Sequence, residues 1–253
     1  MPGRLRVLVV LAALLSCSLL ADEFVTVAVA SNFLVAAETL TERFTEQTGV
    51  PVRIISGSTG KLYAQIVNGA PFDVFLAADA DRPRLLVRSG HAVQGSRATY
   101  AIGALVLWSR DERLRGQDCR EALFGGSYKR LALANPDTAP YGTAAREVLQ
   151  AMGLWQSAAT HAVYGENIAQ TLQFVATGNA TLGFVARSQS ENAGLPKATC
   201  AWHVPGTLHS DLLQQLVLLE RAAGNDGAQR FVTFLRTPEA DEIITRHGYG
   251  VPR

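Results

Sequence analysis

Apolar residues alternate with small and polar ones from residue 24 to 29 (Phe24-Val25-Thr26-Val27-Ala28-Val29), the two-residue period of a β-strand. The period then changes. Phe33, Leu34, Ala37, Leu40 and Phe44 recur at helical spacing, which predicts a helix over 33–47 stopped by Gly49. An apolar strand over 50–55 runs into the small residues Ser56-Gly57-Ser58-Thr59-Gly60, and a helix follows through Leu62, Ile66 and Val67. Further strands are predicted at 73–78, 131–134, 181–186 and 201–204, and further helices at 143–152 and 168–177. The strongly apolar run 100–108 reads as a strand that carries the chain into a second lobe. Residues 213–219 read as a return strand or a helix. Amphipathic helices over 228–235 and 238–247 close the chain before Gly248-Tyr249-Gly250. Strands alternating with helices predict an α/β fold with mostly parallel sheets flanked by helices. Two crossings and no low-complexity linker point to interleaved lobes.

Ligands of such sheets sit outside the carboxyl ends of the strands, so the strand-to-helix junctions are the places to look for chemistry. Two of them, Ala30-Ser31-Asn32 and Ser56-Gly57-Ser58-Thr59-Gly60-Lys61, offer hydroxyls, an amide and first-turn N–H groups at the positive end of a helix. That set of neutral donors suits a free oxyanion. Plain N-capping by the same serines and threonines is the simpler alternative. A nucleotide-binding P-loop is excluded, because Ile55 stands where it needs Gly and Leu62 where it needs Ser or Thr. Ser58-Thr59-Gly60-Lys61 matches the S-x-x-K of penicillin-recognising serine enzymes, but S-D-N and K-T-G are both missing. The pair Ser58/Lys61 stays as the only candidate nucleophile.

Composition narrows the classes further. The first 21 residues have the layout of a secretory signal: Arg4 and Arg6, an apolar stretch 7–15, small residues, and cleavage expected after Ala21. Leu14-Leu15-Ser16-Cys17 also resembles a lipoprotein box, which would anchor the chain at Cys17. Without Arg4 and Arg6 the mature chain has one more acidic than basic residue, which argues against nucleic acid as a partner. Cys119 and Cys200 remain, either as a disulfide or as two buried thiols. The histidines His91, His161, His203, His209 and His247 are dispersed, without the spacing of a metal hydrolase.

Taken together, Ala30-Ser31-Asn32-Phe33, Ser56-Gly57-Ser58-Thr59-Gly60-Lys61-Leu62, Gly69-Ala70-Pro71-Phe72-Asp73-Val74-Phe75-Leu76-Ala77-Ala78-Asp79, Pro140-Tyr141-Gly142 and Gly165-Glu166-Asn167-Ile168 resemble the periplasmic molybdate-binding proteins of molybdate ABC importers, across essentially the whole mature chain. The resemblance implies a type II-like, two-lobed periplasmic binding protein, with lobe I from residues 22–99 and 206–253 and lobe II from 100–205. It implies a monomeric periplasmic carrier, not an enzyme, that uses no cofactor and hands molybdate or tungstate to an inner-membrane permease. Molybdenum would be held only as the oxyanion, with no direct metal ligand. Carried over by position, the ligand-binding residues would be Ser31, Asn32, Ser58 and Thr59 in the first lobe. Tyr141 and Ile168, chiefly through backbone N–H groups, would complete the set from the second. One departure stands out: some members place a Tyr hydroxyl on the anion where this chain has Ala186, a donor that the Asn32 amide or the Tyr141 side chain would have to replace. The nearest alternative is the same fold holding another oxyanion such as sulfate.

Overall fold

The computed structural model describes residues 24–191, 194–195 and 197–252; the expected signal segment and Cys17 lie outside them. Ten strands form two five-stranded sheets. The first contains β1 (Val25–Ala30), β2 (Val52–Gly57), β3 (Val74–Leu76) and β4 (Ala98–Ile102), joined late in the chain by β10 (Leu213–Leu218), in the order β2-β1-β3-β10-β4. The second contains β5 (Leu105–Ser109), β6 (Leu131–Ala134), β7 (Ala162–Gly165), β8 (Leu182–Ala186) and β9 (Cys200–His203), in the order β7-β6-β8-β5-β9. Each sheet has three parallel strands (β2, β1, β3 and β7, β6, β8) extended by two strands paired antiparallel. The helices of the first lobe are α1 (Leu34–Thr48), α2 (Thr59–Val67) and α3 (Asp81–Arg88). Those of the second are α4 (Cys119–Phe124), α5 (Pro140–Ala151), α6 (Trp155–Ala159), α7 (Ile168–Ala176) and α8 (Arg187–Ser190). α9 (Asp226–Phe234) and α10 (Pro238–Arg246) return to the first.

Helices on both faces bury the central strands of each sheet, while the edge strands β2 and β7 stay partly exposed. All six residues of β1 are buried, as expected for a central strand of a covered sheet. Its Val25, Val27 and Val29 pack with Leu40 and Phe44 of α1, Phe231 of α9 and Ile243 of α10. On the other face Ala28 and Phe75 meet Leu62 and Ile66 of α2 and Leu86 of α3. The second sheet repeats the plan, with Leu105, Leu107, Leu131 and Leu133 towards α5 and Val106, Trp108 and Ala132 towards α7. Gly49 ends α1 at φ 74°, its N–H donating to the Thr45 carbonyl at 2.8 Å, the left-handed cap that glycine adopts without steric cost.

The apolar run 100–108 is not one strand. It divides at Gly103-Ala104 into β4 of the first sheet and β5 of the second, so the boundary expected at residue 100 falls inside β4. Both halves are apolar because both sheets bury them, and hydropathy alone does not mark the break. The Gly103 N–H donates to the Leu212 carbonyl at 2.9 Å, which ties the outgoing crossing to the returning one. Residues 213–219, open between strand and helix, form β10. Cys119 and Cys200 form a disulfide with Cα atoms 5.4 Å apart, joining α4 to β9.

Candidate functional site

Four strand-to-helix junctions converge on one cavity between the two sheets: β1 to a 3-10 turn (Ser31–Phe33), β2 to α2, β6 to α5 and β7 to α7. All six residues singled out from the sequence, Ser31, Asn32, Ser58, Thr59, Tyr141 and Ile168, line it together with Gly57, Ala78, Ala139 and other small residues. Its volume is about 10 Å³, far below the roughly 300–1,000 Å³ of pockets for organic ligands. The ligand it suits is therefore compact. No carboxylate, ammonium or guanidinium lines it among the described residues, and no cluster of three His, Cys, Asp or Glu suited to a metal ion occurs among them.

The donors come from local chain geometry. Ser58 stands at the N-cap position of α2, yet its side chain makes no capping bond. It is 3% exposed, and its hydroxyl has no hydrogen-bond partner among the described residues. A buried hydroxyl left unpaired costs about 1–3 kcal/mol, so this group is built for an acceptor that the chain does not supply. The simple capping role weighed for Ser58 is not what it performs. Thr59 is 1% exposed, and its hydroxyl oxygen accepts from the Ala78 N–H at 3.1 Å; its own proton is left to donate. α5 begins at Pro140, three residues earlier than the periodicity predicts, with proline in its first turn. Proline is at home there because no N–H is needed. This places Tyr141 in the first turn, where its N–H has no intrahelical acceptor. At α7 the Asn167 side chain accepts from the Gln170 N–H at 3.0 Å, and the Gln170 side chain accepts from the Glu166 N–H at 2.6 Å. That reciprocal cap leaves the Ile168 N–H, in the first turn of α7, without an intrahelical acceptor.

A buried network backs the site, and local pattern could not reveal it. The Asn32 amide nitrogen donates to Gln214 Oε1 at 2.9 Å and to the Tyr249 hydroxyl at 3.1 Å. Gln214 Nε2 donates to the Tyr141 hydroxyl at 3.2 Å, and the Tyr249 hydroxyl donates to the Asn32 carbonyl at 2.6 Å. Burial pushes the phenols of Tyr100, Tyr141 and Tyr249 above the ordinary tyrosine range, so they remain neutral. The Asn32 amide nitrogen is therefore not a spare donor standing in for the tyrosine absent at Ala186, because both of its protons are engaged here. The Tyr141 hydroxyl accepts from Gln214 in this network and, like that of Thr59, keeps its own proton to donate. Tyr141 fits only because Gly103 lacks a side chain, since a Cβ there would lie 2.2 Å from the phenol oxygen. Lys61, half exposed, reaches Glu166 of the second lobe, Nζ to Oε1 at 2.5 Å. With its ammonium there and the Ser58 hydroxyl unpartnered, the Ser58/Lys61 pair lacks the contact through which a base activates a nucleophile.

Comparison with known proteins agrees with this geometry. The family model of bacterial extracellular solute-binding proteins matches residues 25–250. The molybdate-binding protein ModA of Azotobacter vinelandii is 45% identical over 240 residues, covering 95% of this chain and 94% of the relative. ModA of Rhodobacter capsulatus is 44% identical, covering 89% and 87%. The solved structure of the Azotobacter vinelandii periplasmic molybdate-binding protein superposes with a TM-score of 0.85 at 39% identity, over 90% of this chain and all of that one. The chain belongs to the bacterial extracellular solute-binding proteins, within the family of the periplasmic molybdate-binding proteins.

Proposed function

We propose that this protein captures molybdate in the periplasm, takes tungstate by the same site, and delivers the anion as a monomer to the membrane permease of an ABC importer. The observation that carries this reading is the partnerless, buried Ser58 hydroxyl in a small cavity lined only by neutral groups. Ser31, Ser58 and Thr59 would donate through hydroxyls, and Asn32, Tyr141 and Ile168 through backbone N–H groups. Molybdate is a dianion with four acceptor oxygens and no proton at neutral pH, so a pocket of donors alone satisfies it. A protonated oxyanion such as hydrogen phosphate would set its own O–H against another donor. Helix starts spread enough positive potential that no arginine is needed.

Hydrogen bonds to a charged group contribute about 1.5–3 kcal/mol each. Half a dozen of them, against an association cost of about 4–15 kcal/mol, leave room for the roughly 8 kcal/mol of micromolar binding and more. Sulfate carries the same charge in a smaller shell, so its exclusion rests on the cavity radius. Calorimetric titration with molybdate, tungstate, sulfate and phosphate tests the reading. Tight binding of the first two with no heat from sulfate is the expected result. Preferential sulfate binding would keep the fold and change the ligand, and silence with every oxyanion would end the proposal.

A further inference from the structure

We propose that the start of α2 is also the latch of the closed cleft, with Gly60 and the Lys61–Glu166 pair setting affinity without touching the ligand. This rests on the oxyanion reading above and extends it. The Gly60 N–H donates to the Thr138 carbonyl at 2.8 Å. This is a backbone bond from one lobe to the other. A Cβ on Gly60 would lie 2.9 Å from both the Cα and the carbonyl oxygen of Thr138 and 3.0 Å from the Arg82 guanidinium. Two of those three atoms are backbone, which cannot rotate away, so any side chain here wedges the lobes apart. Beside it, the Lys61–Glu166 pair spans the same gap, and Arg82 Nη2 donates to the Asp137 carbonyl at 3.2 Å. Every one of these contacts joins α2 or α3 to the segment before α5 or α7. None of them exists unless the cleft is closed.

Gly60 lies inside a helix at ordinary helical dihedrals; it is not among the glycines with positive φ. Within its own lobe only the flexible end of Arg82 comes near a Cβ here, and alanine is otherwise the better helix former. The demand comes from across the cleft. Closure and folding are thus separable at this position. A ligand held by two lobes escapes only when they part, so a weakened latch acts chiefly on the dissociation rate.

The test compares wild type, G60A, K61E, E166K and the K61E/E166K double variant by molybdate titration, stopped-flow release, thermal melting and small-angle scattering. G60A is expected to melt, ligand-free, at or above the wild-type temperature. With molybdate it is expected to bind at least tenfold more weakly and to lose the ligand-induced contraction. K61E and E166K are each expected to weaken binding two- to fivefold, with a smaller salt dependence than wild type, and the double variant to recover most of the loss. Wild-type affinity and contraction in G60A would overturn the latch while leaving the oxyanion reading intact. So would equal losses in the double variant and the single ones, in the case of the ion pair. A wild-type protein that binds no oxyanion would end both.

Discussion

Replacing Ser58 by alanine separates the two roles a serine can play at the start of a helix. If Ser58 capped α2, its loss would cost about 1 kcal/mol of stability, or roughly 2–4 °C in Tm for a chain of this size. Its side chain makes no such bond, and the hydroxyl is buried without a partner, so the ligand-free S58A protein is expected to melt at the wild-type temperature or slightly above. The bound state responds differently. A hydroxyl donating to a dianion contributes about 1.5–3 kcal/mol, and each 1.4 kcal/mol is about tenfold in Kd. S58A is therefore expected to bind molybdate roughly 10- to 150-fold more weakly. Titration calorimetry reads the affinity, and a thermal melt without ligand reads the stability. A Kd within twofold of wild type together with a Tm several degrees lower would reverse the assignment and make Ser58 a cap after all.

Two further outcomes follow from groups outside the ligand contacts. The disulfide closes a stretch of 81 residues, which on the chain-entropy model stabilises the fold by about 4.5 kcal/mol; reduction is expected to lower Tm by roughly 10 °C or more. Neither cysteine lines the cavity, so molybdate affinity measured well below the new Tm is expected to be unchanged. The buried phenols of Tyr100, Tyr141 and Tyr249 titrate above the ordinary value of 10.0 because burial disfavours the phenolate. A raised native pKa adds stability that is fully present below the unfolded value and is lost as pH climbs past it towards the native one. Melts are accordingly expected to be insensitive to these groups up to about pH 9 and to fall beyond about pH 10, and a Tm that holds steady above pH 11 would show that the phenols are not buried as described.

Much of this was legible in the chain because it is written locally. Period-two and helical patterns placed β1, β6, α1 and α7 closely, and small polar residues after apolar strands marked two of the four junctions that meet at the cavity, the other two having come from the family resemblance. What escaped was fixed by contacts far apart in sequence. α3 was missed because only Pro83 and Leu86 of its Asp-Arg-Pro-Arg-rich sequence are buried, too narrow an apolar stripe to stand out. The start of α5 was set too late, since Pro140 reads as a breaker unless it is recognised as a first-turn residue. Asn32 and Gln214 are 182 positions apart, so the network that occupies the Asn32 amide and positions Tyr141 has no local trace. Gly60 looked like turn chemistry; its reason lies at Thr138, in the other lobe.

The central claim is that a compact dianion sits among these neutral donors, and diffraction from crystals grown with molybdate locates it directly. Data collected at the molybdenum absorption edge are expected to give one strong anomalous peak in the cavity, with ligand oxygens within hydrogen-bond distance of Ser58 Oγ, Thr59 Oγ1 and the Tyr141 and Ile168 amides. A peak elsewhere on the protein, or an empty cavity in crystals soaked at saturating molybdate, would mean that these donors serve some other ligand.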